Sequence, residues 1–433
     1  MKIFYQLLVN TFVASLTNMT VWFALTYYVY LSTHSVFATS LISGFHLVMT
    51  ALTGLWFGGL VDHHHKKTVM MWSSIASLAS YVVGLSIYLL SPVGAYKQVS
   101  SPYLWGLILV LLVGVIVGNL RNIALPTLVT LLVEKSGRAK ANGQVGMVNG
   151  IGFMVTSVIS GYLVAKTGML GALVGSVVVT VITMIHLMYT SINEKKIIHL
   201  HNDHKKLDLA GTLTVIRGIP GLLALILFAT FNNFLGGVFM SLMDAYGLSL
   251  VSVETWGVMW GFLSIAFIFG GIYISKYGLG KNPVKSLLLA NAIIWLMSAV
   301  FTAYPSIYLL LFGSFVYLMV VPFIEASEQT IFQNLVPHER QGRVFGFAQT
   351  VEQAASPLTA FAIGPLTEFV VIPFMTDGWG ARVLGPYFGT GSARGIALVF
   401  TVAGLIGLTV TLLASRSNPY RQLSTYYLKN TKR

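Results

Sequence analysis

The sequence predicts an all-α membrane protein: twelve transmembrane helices in two six-helix halves, with both termini in the cytoplasm. Three observations predict it, namely a composition suited to lipid, twelve long apolar segments, and a repeat relating the halves. Of the 433 residues, 55% are hydrophobic and 9% charged, whereas a soluble chain carries about 25% Asp, Glu, Lys and Arg. With a mean hydropathy of +0.78, the apolar residues are too many for a water-soluble core to hide. A soluble enzyme is excluded.

The apolar segments are 8–31, 36–61, 68–90, 103–125, 141–165, 168–190, 219–243, 253–275, 283–304, 306–335, 344–370 and 395–416. A helix needs about 20 residues to cross the hydrocarbon core, and in lipid a helix satisfies its own backbone groups. The first segment holds Asn10, Ser15, Thr17 and Asn18; it is too polar and too long for a cleavable leader, and no small-residue cleavage site follows it. The longest polar break, 191–218, reads as a cytoplasmic linker between a first half at 1–190 and a second at 219–416. Another break, 371–394, is rich in Gly and aromatics and is expected outside, over the mouth of the bundle. Residues 417–433 are expected to form a basic cytoplasmic tail.

Lysines and arginines set the orientation. With the N-terminus in the cytoplasm, 21 of the 26 lie on that side; Lys97, Lys166, Arg382 and Arg394 fall outside and Arg121 lies within a segment. That asymmetry follows the positive-inside rule. It accounts for the net charge of +13 without a nucleic-acid partner.

The repeat supports two related halves. Glu134-Lys135-Ser136-Gly137-Arg138 is followed by Gln144, and Glu339-Arg340-Gln341-Gly342-Arg343 by Gln349; both read E-[KR]-x-G-R with a Gln seven residues past the Gly, 205 residues apart. Each copy lies between the fourth and fifth segments of its half. A weaker pair relates Gly58, Asp62, Lys66 and Lys67, after the second segment, to Gly271 and the run Ser275–Lys281, after the eighth. Two parallel halves of six helices are a layout of secondary transporters, whose substrate site lies near mid-membrane between the halves.

These residues resemble the major facilitator superfamily. Gly58, Asp62, Lys66 and Lys67 match its loop-two signature, G-x-x-x-D-[RK]-x-G-[RK]-[RK], while His63 and His65 depart from it. The segments VPHERQGRVFGFAQ, SPLTAFAIGPLTEF and GTGSARGIALVF resemble the bacterial macrolide-efflux and enterobactin-exporter group of drug–proton antiporters. Antiporters of the family often carry G-P-x-x-G-G in the fifth helix, where this chain has Thr156-Ser157-Val158-Ile159-Ser160-Gly161. Small residues still allow close helix packing there. The resemblance implies a multi-pass protein of the bacterial cytoplasmic membrane that acts as a monomer. It also implies a gating role for the Asp62 loop, with Gly58, Lys66, Arg138 and Arg343 in the two basic loops; a helix-end charge is the plainer reading of Asp62.

Charges inside the apolar spans mark candidate chemistry. Glu325 and Glu328, three residues apart, share a helix face, and counting the helical rise from Val336 puts Glu325 roughly 16 Å deep. Burial beside a second carboxylate favours the protonated form of a Glu, which a proton carrier needs; a structural carboxylate is the alternative. Glu352 lies about 13 Å deep by the same rise, beside Gln349, Gln353 and Ser356, and suits either the same cavity or a gate with the loop arginines. Arg121 falls one residue from the repeat equivalent of Glu325. A buried Arg calls for an anionic partner, with the Glu325/Glu328 pair favoured over substrate. Asn18, Trp22, His46, Asn232, Asn233 and Phe234 fall near mid-span and are candidates to line a substrate site, although a lone membrane His more often packs than relays protons.

The chain has no cysteine, which removes disulfides and thiolate metal sites. Neither His63-His64-His65 nor the cluster His199, His201, Asp203 and His204 is expected to bind metal, and no cofactor is implied. No phosphate loop or hydrolase motif occurs. The expected partners are a small-molecule substrate, protons and the bilayer. Proton-coupled efflux of a hydrophobic or amphipathic molecule is the leading expectation; an uptake symporter and a non-transporting receptor or scaffold are the alternatives.

Overall fold

A computed structural model of the protein describes residues 2–121, 124, 138–190, 209–337 and 341–430. The first span is α1 (Lys2–Thr33), followed by α2 (Val36–His63), α3 (Lys66–Leu90) and α4 (Pro102–Gly118). Next come α5 (Arg138–Thr167), α6 (Met169–Tyr189), α7 (Leu209–Gly218), α8 (Leu222–Leu250) and α9 (Val253–Tyr277). After them run α10 (Pro283–Val300), α11 (Ile307–Leu335), α12 (Gln341–Gln353) and α13 (Ala355–Leu366). The short helices α14 (Ile372–Thr376), α15 (Trp379–Val383) and α16 (Gly385–Phe388) lead to α17 (Ser392–Arg416) and α18 (Asn418–Asn430). Local chemistry sets several ends: Ser35 and Ser306 accept from Ala38 N and Leu309 N, and Asn282 from Val284 N with Pro283 behind it, as helix N-termini require.

Among the described residues nine helices are long and apolar enough to cross a membrane. Three shorter apolar helices, Val36–Thr50, Pro102–Gly118 and Ile151–Thr167, fall on the three remaining apolar segments. The described residues gather into two compact units, Met1–Asn202 with Val251–Phe262, and Asp203–Leu250 with Leu263–Arg433.

This division differs from the sequence reading in three places. The start of α9 packs with the first unit because glycines let it approach α5: a Cβ on Gly257 would lie 2.4 Å from the Ser157 carbonyl oxygen, and one on Gly161 would lie 2.6 Å from that of Val253. Phe153 and Trp260 pack edge to face across the same crossing, with centroids 5.9 Å apart. Part of the expected linker is helix α7, whose Ile216 is fully buried in the apolar core of the second unit. Within the expected basic tail, Asn418–Asn430 are helical as well. α18 sets Tyr420, Leu423 and Tyr427 into that same core, and polar bonds fasten it: Tyr420 Oη donates to Ala224 O (3.0 Å), Asn334 Nδ2 to Tyr427 Oη (2.8 Å) and Asn282 Nδ2 to Ser424 Oγ (2.6 Å). One helical face, Tyr420–Leu423–Tyr427 at spacings of three and four, carries the burial.

Candidate functional site

The second unit encloses a cavity of about 490 Å³ lined by α8, α10, α11 and α12. Glu325, Glu328 and Glu352 all line it, together with the amides of Asn232, Asn233, Asn291, Gln329, Gln349 and Gln353. Trp295, Tyr317, Phe228 and Phe332 supply aromatic wall. No Lys, Arg or His is among its described lining residues.

Two prolines shape the helices that present the carboxylates. Pro322 lies inside α11, one turn before Glu325, and leaves the Leu318 carbonyl without its helical donor. Pro357 does the same for Gln353 at the break between α12 and α13, directly after Glu352. Glu325 is exposed and Glu328 and Glu352 are half-buried. The carboxyls of Glu328 and Glu352 touch, and Glu325 is close enough to act on Glu328 by its charge. One buried oxygen of Glu328 and one of Glu352 have no hydrogen-bond partner among the described residues. A buried polar group without a partner costs about 1–3 kcal/mol.

The amides are held from behind. Trp295 Nε1 donates to Asn232 Oδ1 at 2.7 Å, and Trp295 is seated by Gly407 of α17, where a Cβ would meet its ring at 2.3 Å. Asn233 donates from Nδ2 to Ala229 O, and its carbonyl accepts Ser356 Oγ at 2.8 Å. That bond spans a close α8–α13 crossing, where a Cβ on Gly237 would lie 2.6 Å from Ser356 O. Tyr420 of α18 stacks edge to face on Phe228 at 5.8 Å; burial and then the nearby Glu328 charge push its hydroxyl pKa up.

The other expected residues lie elsewhere. Arg121 is 3% exposed in the first unit. It donates from Nε and Nη2 to Ser74 Oγ (3.0 and 2.5 Å) and from Nη1 to Asn10 Oδ1 (2.7 Å). Asn10 in turn donates from Nδ2 to Thr183 O at 2.9 Å and lies 3.0 Å from His186 Nδ1. The expected pairing of Arg121 with Glu325 or Glu328 would join residues of different units; within its own unit uncharged oxygens already hold the guanidinium. Asn18 takes the Tyr81 hydroxyl on Oδ1 and donates to Val115 O at 3.2 Å, knitting α1, α3 and α4. Trp22 and His46 pack with their rings tilted and centroids 4.4 Å apart in the same unit, with His46 Nδ1 unpartnered among the described residues. Phe234 is 42% exposed on α8 and is not among the lining residues of the carboxylate cavity. Gly58 and Asp62 sit in α2, Arg138 opens α5 and Arg343 sits in α12, but their side chains lie outside the described residues. Lys66 Nζ reaches His64 O at 3.4 Å. His199, His201, Asp203 and His204 also lie outside the described residues. No group of three or more His, Cys, Asp or Glu poised for a metal occurs among the described ones.

Three residues were not foreseen. Asn291 is a single amide in an otherwise apolar segment, a signal the sequence offered, whereas nothing in the sequence set Trp295 apart. Arg394, expected on the external side of the membrane, was not foreseen as buried, and it is 3% exposed. It bonds the Phe388 and Ala303 carbonyls and reaches Tyr246 Oη at 3.4 Å, so it ties the 371–394 segment to α8 and to the turn after α10.

Residues 7–360 match the Major Facilitator Superfamily. The chain is 24% identical over 385 residues to macrolide efflux protein A of Streptococcus pyogenes, covering 82% of this chain and 87% of that one. It is 23% identical over 336 residues to macrolide efflux protein A of Enterococcus faecalis, covering 71% and 94%. Its fold is similar to that of a bacterial homologue of the iron transporter ferroportin in an inward-facing state, with TM-score 0.70, 14% identity and 96% and 99% coverage. It is also similar to a bacterial homologue of the lysosomal transporter Spinster, with TM-score 0.67, 14% identity and 99% and 98% coverage.

Proposed function

The chain belongs to the Major Facilitator Superfamily, and we propose that it exports a hydrophobic or amphipathic small molecule, of drug, macrolide or siderophore kind, in exchange for protons. It is a multi-pass membrane transporter rather than an enzyme. The observation that carries the proposal is the meeting of Glu325, Glu328 and Glu352 in one cavity with no Lys, Arg or His among its described lining residues. The relatives named macrolide efflux protein A favour export as the direction.

In this reading twelve helices span the membrane with both termini in the cytoplasm, and the halves rock to give alternating access. The touching carboxyls of Glu328 and Glu352 hold the transported proton, since two like charges this close repel. Glu325 faces the cargo. The aromatic wall takes its apolar body and the amides of Asn232, Asn233, Gln349 and Gln353 take its polar groups, a mixture suited to small-molecule sites. Proton and cargo compete for the cluster, so loading one releases the other.

Proteoliposomes with an imposed pH gradient and an internal pH dye test the proposal against macrolides, tetracyclines, cationic dyes and siderophores. At least one compound is expected to speed collapse of the gradient only with folded protein, and the labelled compound to move against the proton. Movement of compound and proton together would replace antiport by symport. No effect of any compound would remove proton-coupled export of these classes.

A further inference from the structure

The second unit carries another large concavity that the transport cycle above does not use. It is a groove of about 940 Å³ between the end of α9, the first half of α10 and the middle of α11, sharing no lining residue with the carboxylate cavity. Its walls are apolar, with Phe269, Ile272 and Leu289 exposed by 54%, 58% and 64%. Toward mid-membrane, α9 meets α11 closely at Gly270, where a Cβ would come within 2.2 Å of Met319 O.

The other end of the groove is basic and aromatic. Lys276 Nζ sits 5.3 Å from the centre of the Tyr277 ring, and that ring packs on Tyr273 at 4.9 Å. The chain then turns sharply into α10 through Gly278 and Gly280, whose φ values of +70° and +73° suit glycine alone among common residues. Ser286 Oγ fixes this turn by donating to Leu279 O at 2.6 Å. The turn thereby keeps Lys276, Lys281 and Lys285 at one end of the unit. No acidic side chain is among the described lining residues.

We propose that this groove binds an anionic phospholipid of the leaflet at its basic end, which the positive-inside bias makes the cytoplasmic leaflet. The phosphate sits on Lys276, within the field of Lys281 and Lys285, and an acyl chain lies along Phe269, Ile272 and Leu289. The complementarity has two parts. A cationic, tyrosine-bearing mouth suits headgroup depth, and a long apolar wall suits hydrocarbon. A soluble anion would use the mouth and leave the wall idle, and a second copy of this equally basic end would be repelled.

Native mass spectrometry of the full chain in a mild non-ionic detergent tests the proposal, with dioleoylphosphatidylglycerol, dioleoylphosphatidylcholine or glycerol 3-phosphate added separately. The protein is expected to retain phosphatidylglycerol over phosphatidylcholine and to ignore glycerol 3-phosphate. Lys276→Gln should weaken phosphatidylglycerol retention about fivefold, the share of one lysine at an anionic surface, without changing phosphatidylcholine. Lys429→Gln, on the exposed end of α18, should change neither. Equal retention of the two lipids, retention indifferent to Lys276→Gln, binding of glycerol 3-phosphate as strong as that of the lipid, or a dimer in place of lipid adducts would each overturn it.

Discussion

Arg121 in the first unit and Glu325 in the second stand one residue from repeat equivalence, since an offset of 205 carries 121 to 326. Their surroundings differ in kind. Around Arg121 the space amounts to about 20 Å³, roughly what one water occupies, and Ser74 and Asn10 take up its donors. Around the glutamates lies a cavity of about 490 Å³ in which carboxyl oxygens of Glu328 and Glu352 find no partner among the described residues. A buried cation held by several fixed polar oxygens in a tight space is a fastener. A buried acid left short of partners, in a space large enough for a ligand, is poised to exchange protons or cargo. The two units therefore teach that a charge within a span is read by its partners and its free volume, not by its presence.

The largest expected break in the comparison comes from the acids. Glu325→Gln keeps the shape of the side chain and should reduce proton-coupled flux to the protein-free baseline while leaving the melting temperature within about 2 °C, because an isostere at an accessible cavity-facing position changes stability little. Unimpaired coupled flux in that variant would remove Glu325 from the mechanism. The first unit should behave in the opposite way. Arg121→Leu strands Asn10 Oδ1, while Ser74 Oγ keeps its bond to Met70 O, and should cost about 1–3 kcal/mol of stability, read as a lowered melting temperature in detergent; a variant as stable as the parent would show that Arg121 is not a fastener. Gly118→Ala tests the same packing from the backbone side, since a Cβ there would fall 1.5 Å from Asn18 Nδ2. Overpacking of this kind costs about 1–3 kcal/mol, and Gly118→Ala with Asn18→Ala should recover part of the loss in a double-mutant comparison. The smallest effect belongs to the serines that stitch α3 to α4. Ser77→Ala removes one donor to Gly114 O (2.8 Å) and should cost no more than about 1.5 kcal/mol, with flux unchanged.

Much of this was legible in the sequence, and the reasons are physical. Long apolar runs have one stable form in lipid, so the nine helices long enough to span among the described residues all fall on expected segments. Glu325, Glu328 and Glu352 could be singled out because an acid in hydrocarbon is costly and needs a reason. Their convergence with Asn232 and Asn233 depends on how α8, α11 and α12 pack, which the one-dimensional pattern does not encode. Arg121 illustrates the limit. Its charge was visible, but its partners, Ser74 and Asn10, are 47 and 111 residues away and belong to a residue class common in every span. The helix in the basic tail was legible but not read. The i, i+3, i+7 face of Tyr420, Leu423 and Tyr427 was the signal, and it packs α18 on the core of the second unit.

The central claim is that the proton is carried by the touching carboxyls of the second unit. The most direct test follows proton entry with an internal pH dye in proteoliposomes, cargo present, comparing the parent chain with Glu328→Gln, with Glu352→Gln and with Arg121→Lys. The account predicts that either carboxyl variant, folded and reconstituted to the same density, loses cargo-dependent proton entry, whereas Arg121→Lys retains it. Cargo-dependent proton entry that survives both carboxyl variants and disappears with Arg121→Lys would contradict it.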